Sequence, residues 1–554
     1  MPTEYLKEGD NGFIGLNSRD NPASLPVGMV SKSQNFRLDR GVATVRKGLK
    51  RLTSANILGK TIYGVGTFIN GTGQEIFVIV VGNGVHTFNS ETETFSTLIP
   101  FPAGETITTQ TGCDVVTAID KIFISRGHSK RPLICTLDTT SYTISGIIAA
   151  PSTGSGVYHQ FPNCSGLLYF NNRLIAIGRH TLEGVNGSTP SYTSTARSRD
   201  SVCVSNYLDF ENWDLLDVFY FNEGGNDEVV AVAPWTLNEF VVFLRNSIFY
   251  VGVGSGLRYS AGAGLNDSAY MKNLVSDAGC SAKNSIVLAG GVVIFLSDGG
   301  IYTMNPTPVG SNESLRLLIS SDPLSSQIDD IIQRINKTYV KNSVGIYFNN
   351  RYYLAVPLDN SVDNNCVLVF NFILKNWESV DTYPSGFDVF KFGVAKKSNQ
   401  RRMFGFDTDQ GVFLMEELEY DEYGASTGTP VLPFILPQVL NTATFTPNQI
   451  QGELKTRLYT HNSLRDKRFS TLEVDVVCEP ASQISTYVDT INPDTTTLVD
   501  FYGSPTQEDS TRRLAVRKIG YGLQARFTTN SLRTSIRGTN LTFTMLGKQN
   551  ISKK

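Results

Sequence analysis

One local pattern recurs through most of this chain: two apolar or β-branched runs separated by a short turn of Gly, Asn or Asp, which is typical of β-hairpins. The clearest copies are "EIFVIVVGNGVHTF" (75–88), "LLYFNNRLIAIG" (167–178), "EFVVFLRNSIFYVG" (239–252), "VVIFLSDGGIYTM" (292–304), "GIYFNNRYYLAVP" (345–357) and "RMFGFDTDQGVFLM" (402–415). The widest gap holds a further candidate pair, "DVVTAIDKIFIS" (114–125). A repeat of about 40 to 60 residues predicts a β-propeller-like platform of about six four-stranded blades over residues 61–420.

Several of these runs are apolar on both faces, as in "IFVIVV" (76–81). Such strands are packed between two sheets and do not expose one face to solvent. Helical periodicity is scarce, and its best case is "SSQIDDIIQRINKTY" (325–339), where isoleucines fall on one face. The chain is therefore predicted to be all-β. A sandwich or an irregular β-rich domain is the alternative to the propeller.

A domain boundary is predicted near residue 420, where "EYDEYGASTGTPVLPFILPQ" mixes acids, Gly and Pro. Beyond it, apolar and polar residues alternate again at 472–478, 519–527 and 541–545. These runs predict half-buried strands. The expected structure over residues 421–554 is a β-sandwich-like tip domain with return strands.

Charge is unevenly distributed along the chain. Residues 511–554 contain ten Lys or Arg and no acid, so the preceding residues have 38 basic and 51 acidic groups, a net charge of −13. Lys518 and Arg526 are expected to share one polar strand face. The predicted basic strand surface consists of Arg512, Arg513, Arg517, Lys518, Arg526, Arg533 and Arg537. A solvated face without a partner is the alternative.

The first 60 residues are predicted to form an extended N-terminal arm and a first hairpin. Residues 1–35 hold three prolines, have no strand or helix periodicity and are expected to contribute little to a folded core. Ordering such an arm costs about 1 to 2 kcal/mol per residue of backbone entropy, so it is expected to gain contacts in an assembly. Arg19 and Asp20 are predicted to pair across a subunit boundary.

Seven basic residues and one acid lie between Lys32 and Arg51. The partner-docking residues are predicted to be Asn17, Arg19, Asp20, Arg37, Arg40, Arg46, Lys47 and Arg51. For residues 36–52 the turn at Asp39-Arg40-Gly41 leaves two interpretations open. The segment is either part of an extended strap or the first hairpin of the propeller.

Each candidate motif for catalysis, nucleotide binding or metal binding lacks an essential residue. "SANILGKT" (54–61) has Ser54 where a phosphate-binding loop needs its first glycine. "FDTDQG" (406–411) and "LDNSVDNN" (358–365) lack the glycine and glutamate of a calcium loop, so turn-forming Asx residues explain them better. "LSDGGIYT" (296–303) resembles the Asp-containing loops of glycosidase propellers but has Leu296 in place of serine and no final tryptophan.

The seven cysteines are scattered singly and the five histidines show no metal spacing. This pattern favours buried thiols over a disulfide framework or a zinc site. No apolar run approaches the ~20 residues that cross a bilayer, and the first residues do not resemble a secretory signal. The expectation is a protein that is not an enzyme and has no cofactor, no metal and no membrane span.

A second set of sequence segments resembles a known protein family. "GLNSRDNPASLPVGMVSKSQNFRLDRGVATVRKGLKRL" (15–52) is similar to the start of the tail nozzle, tail hub or packaged-DNA stabilisation proteins of short-tailed bacteriophages. The matching residues are Gly15, Leu16, Asn17, Asp20, Pro22, Leu25, Pro26, Gly28, Asn35, Arg46, Lys47 and Gly48. Later phrases at 205–215, 240–252, 292–302, 349–381 and 536–549 resemble the same family in order, with the weakest coverage between residues 420 and 510.

The resemblance implies a structural virion protein without an active site. It would form a ring of six below the portal and adaptor, prolong the channel for double-stranded DNA, help to retain packaged DNA, and hold fibres, spikes or a needle or plug. Such a chain is made in the host cytoplasm and resides in the phage tail. Two other function classes stay open: a carbohydrate-binding or glycosidase-like propeller, and a nucleic-acid-binding protein that uses the basic C-terminal strands.

Overall fold

The structure is a computed structural model that describes residues 5–52, 61–107, 113–151, 161–179, 199–221, 227–253, 269–275, 278–309, 314–320, 322–407, 411–423, 447–477, 483–490, 497–502, 509–529 and 534–546. Six strands precede the repeated hairpins. They are β1 (Leu6–Asp10), β2 (Gly15–Leu16), β3 (Met29–Gln34), β4 (Phe36–Asp39), β5 (Val42–Val45) and β6 (Gly48–Arg51). The structure is almost entirely β, as the sequence predicts.

Four antiparallel sheets follow in chain order, and we call them blades 1 to 4. Blade 1 has β7 (Ile62–Ile69), β8 (Glu75–Val81), β9 (Gly84–Asn89), β10 (Thr94–Phe95) and β11 (Ile99–Pro100). Blade 2 has β12 (Val115–Ala118), β13 (Lys121–Ile124), β14 (Leu133–Leu137) and β15 (Ile144–Ala149). Blade 3 has β16 (Asn163–Phe170), β17 (Arg173–Arg179), β18 (Ser201–Asn206) and β19 (Asp209–Tyr220). Blade 4 has β20 (Val229–Pro234), β21 (Glu239–Leu244), β22 (Ile248–Gly252) and β23 (Tyr270–Val275).

Three more sheets complete the larger body. Blade 5 has β24 (Val287–Ala289), β25 (Val292–Ser297), β26 (Gly300–Val309) and β27 (Ser314–Ile319). Blade 6 has β28 (Val344–Phe348), β29 (Arg351–Val356), β30 (Cys366–Asn371) and β31 (Asn376–Thr382). Blade 7 has β32 (Val389–Lys397), β33 (Gln400–Asp407) and β34 (Gly411–Leu418), and its fourth strand is β6 from the N-terminal segment.

The seven blades close into a ring. Each neighbouring pair shares an apolar cluster, and the last cluster joins blade 7 to blade 1 through Phe404 and Phe77. Strand β8 shows how the pattern works: Phe77, Ile79 and Val81 face blade 7, while Ile76, Val78 and Val80 face blade 2. The strands that are apolar on both faces are therefore sandwiched between sheets, as expected.

Each predicted hairpin lies in a different blade. The additional candidate at 114–125 forms β12 and β13 of blade 2, so the described residues contain seven blades rather than about six. Two of the hairpins turn through Asn pairs with left-handed backbone, Asn171 with Asn172 and Asn349 with Asn350. Such turns match the twist of the flanking strands.

The predicted helix at 325–339 is shorter than its pattern suggests. The α-helix α1 spans Asp329–Gln333, between 3-10 turns at Ser326–Ile328 and Val340–Asn342. Its isoleucine face is buried, because Ile328, Ile331, Ile332 and Ile335 are each at most 6% exposed. In the described part of the chain no helix has the length and apolarity to cross a membrane.

The smaller body is a β-sandwich built from both ends of the chain. Its C-terminal strands are β37 (Gly452–Thr456), β38 (Lys467–Val477), β39 (Gln483–Thr490), β40 (Thr497–Tyr502), β41 (Asp509–Gly520), β42 (Leu523–Thr529) and β43 (Ser535–Met545). A small pair, β35 (Asp421–Glu422) with β36 (Pro447–Asn448), lies beside them in the chain. One sheet has the order β4-β5-β43-β38-β41, with β1 on β43.

The second sheet of the sandwich is continuous with blade 6. Its order is β28-β29-β30-β31-β3-β37-β42-β39-β40, with β2 on β3, so β3 joins the propeller to the sandwich. Residues from both sheets, such as Phe469 and Phe527, share one core cluster. Ring and sandwich are therefore connected through a single hydrogen-bonded sheet.

The prediction that residues 1–35 contribute little to a core is wrong. Phe13, Leu16, Met29 and Val30 are at most 4% exposed, and β1 pairs with β43 over its whole length. The turn at Asp39-Arg40-Gly41 is confirmed, with φ of 50° at Arg40 and 85° at Gly41. The hairpin that it closes, β4 with β5, lies in the sandwich and not in the propeller.

Candidate functional site

Arg37, a predicted docking residue, is buried inside the molecule. On β4 it donates to both carboxylate oxygens of Asp381 at 2.9 and 2.5 Å and also contacts Glu416 of blade 7. Asp381 is fully buried and accepts a further bond from Ser379 Oγ at 2.7 Å. Burial alone would lower the pKa of Arg37, but Asp381 and Glu416 outweigh it and hold the pKa well above its usual range. Arg37 therefore binds the sandwich to blades 6 and 7 of the same chain.

Arg46 makes a second internal connection. It donates to the two carboxylate oxygens of Asp421 at 3.0 and 2.7 Å, and its Nε donates to Asn35 Oδ1 at 3.0 Å. The side chains of Arg46 and Asp421 are 1% and 3% exposed. The guanidinium also lies 4.2 Å from the ring centroid of Tyr383, in cation–π geometry. We call the groups around Arg37 and Arg46 the junction.

Of the other docking candidates in β4 to β6, one is buried and two are exposed. Arg51 is buried against blade 7, with its guanidinium 6.0 Å from the Phe413 ring centroid, and burial lowers its pKa. Arg40 and Lys47 are exposed. These two remain available to a partner, whereas Arg37, Arg46 and Arg51 do not lie on the surface.

The candidates in the opening loop make local contacts. Asn17 Nδ2 donates to Asp20 Oδ2 at 2.9 Å, and the Asp20 backbone N–H donates to Asn17 Oδ1 at 3.0 Å. Arg19 donates to the Ser326 carbonyl at 3.3 Å. Ser18 Oγ donates to Asp330 of α1 at 2.6 Å. The loop is thereby fixed against the helical segment of the same chain, while pairing of Arg19 and Asp20 across a subunit boundary stays a prediction.

A third connection was not visible in the sequence. Arg457 donates to Asp10 Oδ1 at 3.0 Å and to Glu8 Oε1 at 2.9 Å, and Tyr459 donates to Asp10 Oδ2 at 2.8 Å. Asp10 is fully buried and also accepts the Gly28 N–H at 3.0 Å. The only local signal would have been an acid within the short alternating run "LKEGD" (6–10).

The predicted basic surface is divided between the two sheets of the sandwich. Arg512, Arg513, Arg517 and Lys518 lie on β41 and Arg537 on β43, all in one sheet, while Arg526 lies on β42 in the other. The expectation that Lys518 and Arg526 share a face is wrong, because the chain leaves β41 at Gly520 and enters the second sheet at Leu523. Arg533 lies outside the described residues.

Acidic neighbours also reduce the charge of this surface. Arg513 donates to Glu473 Oε1 at 2.9 and 2.6 Å, and Arg526 lies 4.0 Å from Glu453 and 4.2 Å from the Tyr487 ring centroid. Five of the six described members of the predicted surface lie in one sheet, and Arg526 lies in the other. Binding of nucleic acid by these residues stays a prediction.

The centre of the propeller holds a polar cavity, which we call the axial pocket. It has a volume of about 230 Å³ and is lined from several blades by Val65, Asp114, Leu167, Ala231, Lys283 and Lys391, together with Asn284. Lys283 Nζ lies 2.9 Å from Asp114 Oδ1 and donates to the Ser165 carbonyl at 3.2 Å. Lys391 Nζ donates to Asn284 Oδ1.

Ionisable groups at this pocket are strongly affected by their surroundings. Burial lowers the pKa of Lys391 to about 8, against the attraction of Asp114. Burial raises the pKa of the Cys113 thiol to about 12, so that it is not a thiolate at neutral pH. Within the described residues no group of three or more His, Cys, Asp or Glu is placed to hold a metal ion.

The motifs for chemistry form turns or fall outside the described residues. Asp359 of the calcium-like loop at 358–365 pairs with Arg334, whose Nε lies 2.8 Å from Asp359 Oδ1. Asp298 of the glycosidase-like loop accepts from Arg245 Nη2 at 2.7 Å and from Ser281 Oγ at 2.7 Å. Residues 54–60 of the phosphate-loop candidate and residues 408–410 of the calcium-like loop at 406–411 are not described.

No family model matches the chain, and neither does any curated protein. Solved structures do match it. An ancestral GH74 enzyme aligns with 70% of this chain and 51% of its own, at 8% identity and a TM-score of 0.41, so the alignment spans about half of that enzyme. A chain of BBS1N in complex with ARL6DN aligns with 67% of this chain and 98% of its own, at 13% identity and a TM-score of 0.36.

An exo-β-1,3-galactanase from Phanerochaete chrysosporium aligns with 70% of this chain and 99% of its own, at 11% identity and a TM-score of 0.24. Identities of 8 to 13% are far too low to transfer an activity. No substrate or partner is therefore assigned to this chain from these structures.

Proposed function

We propose that this chain is a structural virion protein that forms the tail nozzle or hub ring of a short-tailed bacteriophage. The observation that carries the proposal concerns the opening phrase, residues 15–52, in which the resemblance to that family is strongest. This phrase contains β2 to β6 and both arginines of the junction. Of the residues that match the family, Asn35 and Arg46 take part in the junction.

Matching residues in the phrase have specific local reasons. Asn35 has φ of 59° and its Oδ1 accepts from Arg46 Nε at 3.0 Å. Gly28 has φ of 84°, which favours glycine. A Cβ on Gly48 would lie 2.0 Å from the Tyr420 carbonyl oxygen. Residues 15–52 therefore specify a particular connection between the two bodies rather than a generic loop.

A joint of this kind suits a tail component. A closed propeller leaves few sheet edges, and the sandwich is attached to it through β3 and through the ion pairs of Arg37 and Arg46. The net charge of −13 before residue 511 would repel passing DNA instead of binding its phosphates. The proposed partners are five further copies of the chain, the adaptor below the portal, distal fibres, spikes or a needle, and the double-stranded DNA in the channel.

Reconstruction of short-tailed particles that contain this chain tests the proposal. We expect six copies around the DNA channel, below the portal and adaptor. Particles with another copy number, or with the chain outside the tail, would contradict it. A free monomer in solution would not, since the adaptor can act as the template for ring assembly.

A carbohydrate-binding propeller is the second candidate, and the axial pocket is the observation that favours it. Its lining offers amide, carboxylate and ammonium groups that can bind hydroxyls. Cleavage by the usual route needs two carboxyl groups about 5 to 9 Å apart. Among the described lining residues Asp114 is the carboxylate, and it is paired with Lys283. Saturable binding of a neutral monosaccharide that is lost in Asp114→Asn would favour this candidate over the tail protein.

A further inference from the structure

The axial pocket combines two ammonium groups with one carboxylate. Lys283 and Asp114 form an ion pair at 2.9 Å, which leaves Lys391 as the excess positive charge. The walls around these groups include apolar side chains such as Val65, Leu167 and Ala231. Burial disfavours the charged form of Lys391, so an anion brought next to it would interact favourably with its charge.

The ammonium of Lys391 has donors to spare. A lysine carries three N–H donors, and among the described residues one of them goes to Asn284 Oδ1. Lys283 is occupied differently, because it contacts both Asp114 and the Ser165 carbonyl. Lys391 and the amide of Asn284 are therefore the groups that can bind a ligand inside the pocket.

The size of the cavity limits what that ligand can be. The volume of about 230 Å³ is below the range of about 300 to 1,000 Å³ that is typical of sites for drug-sized ligands. This space admits a tetrahedral oxyanion or a small carboxylate with some water. It does not admit a DNA strand with its bases.

We propose that the axial pocket binds a small oxyanion, with phosphate as the reference ligand, through Lys391 and Asn284. Lysine is a common phosphate-binding residue because it acts as a compact point charge with rotatable donors. The inference holds whether or not the chain is a tail protein, since it depends on the pocket alone.

The pH dependence follows from the groups that face Lys391, which are Asp114 and Lys283. The pKa of Lys391 in the empty pocket is about 8, so its charge is present below that pH and lost above it. Two nearby groups do not titrate in this window, because the pKa of Cys113 is raised to about 12 and that of His128 is lowered to about 4. The affinity for the phosphate dianion should therefore fall as the pH rises from 7 to 9. It is calculated per dianion, because inorganic phosphate itself loses its second proton within this range.

Isothermal titration of the full chain with sodium phosphate, against sodium chloride of equal ionic strength, tests the proposal. We expect saturable binding at one site, weakened at least tenfold in Lys391→Gln. Lys396→Gln, on the same strand β32 but exposed, is the matched control and should bind as the unchanged protein does. Equal binding by Lys391→Gln, or no saturable binding by the unchanged protein, would overturn the proposal.

Two further arms keep the test decisive. Asn284→Asp is nearly isosteric and adds a negative charge beside Lys391, so it should abolish phosphate binding even if Lys391→Gln fails to fold. A short DNA duplex at equal phosphate concentration should not compete with inorganic phosphate for the site. Competition by the duplex would mean that the oxyanion binds to an open basic surface and not within the pocket.

Discussion

The propeller and the sandwich are both antiparallel β-structures, but their strands come together from very different distances along the chain. In blades 1 to 6 each strand pairs with the strand next to it in sequence, except that β11 of blade 1 pairs with β9. In the sandwich, β1 pairs with β43 and β3 pairs with β37. Local hairpins close short loops, whereas the sandwich must bring the two ends of the chain together at a greater cost in loop entropy. The sandwich therefore depends on the N-terminal segment far more than the propeller does.

Deletion of residues 1–35 should reduce the stability of the protein more than any other change proposed here, because the sandwich depends on this segment. It removes β1, β2 and β3, together with buried residues such as Phe13 and Val30, and exposes the edges of β37 and β43. We expect loss of soluble, folded protein, or a fall in Tm of more than about 10 °C, which corresponds to several kcal/mol. Size-exclusion chromatography and circular dichroism measure it, and co-expression of residues 1–35 as a separate chain should restore folding. Retention of a native Tm would show that this segment is dispensable.

Arg46→Met should be the next most damaging change. It leaves the carboxylate of Asp421 buried without its partner, which typically costs about 3 to 5 kcal/mol. Arg468→Met, at an exposed position of β38, is the matched control and should stay within about 0.5 kcal/mol. Denaturant unfolding monitored by fluorescence gives both values. Equal effects of the two changes would mean that the junction does not stabilise the fold.

Acid should weaken the propeller through His128. Burial, with Arg199 and Lys283 nearby, lowers its pKa from 6.5 to about 4. Between pH 6.5 and pH 4 the histidine is protonated in the unfolded chain but neutral in the folded chain. The free energy of unfolding is therefore highest above pH 6.5 and falls as the pH drops toward 4. The loss is up to about 3 kcal/mol from this group. His128→Gln should reduce the slope of unfolding free energy against pH in this window, and an unchanged slope would contradict the prediction.

Gly66→Ala should have a smaller effect, confined to the propeller axis. A Cβ on Gly66, in β7, would lie 2.6 Å from Val115 Cγ1 and 2.7 Å from the Val115 carbonyl oxygen of blade 2. Overpacking of this kind costs about 1 to 3 kcal/mol. Gly146→Ala, on the outer strand β15, is the control, since its Cβ would meet Thr136 Oγ1 at 3.8 Å. A Tm that falls equally in both variants would contradict the tight packing of the inner strands.

The propeller could be predicted because the strands and turn of each hairpin are adjacent in the sequence. Asn pairs such as Asn349 with Asn350 mark a turn within a few residues of the strands that they connect. The number of blades was underestimated because the 114–125 hairpin has short strands and a weak turn signal. The closing strand β6 was missed as well, since "GLKR" (48–51) is too short to show alternation.

The junction shows the opposite case. The opening arginines were predicted to dock a partner, but Arg37 and Arg46 pair within the chain, because a basic residue in a sequence does not reveal its partner. Arg37 pairs with Asp381 and Arg46 with Asp421, more than 300 residues away in each case. The axial pocket could not be foreseen for a similar reason, because Asp114, Lys283 and Lys391 are single residues brought together only by closure of the ring.

Hydrogen–deuterium exchange of the isolated protein tests the central claim, that the N-terminal segment is an integral part of the fold. Strand β3 lies between β31 and β37 in the continuous sheet. We therefore expect the amides of β3 that pair with β37 to be as strongly protected as their partners on β37, and far more than an unstructured peptide. Exchange of residues 29–34 at the rate of an unstructured peptide, with β37 protected, would contradict the account and show a mobile arm.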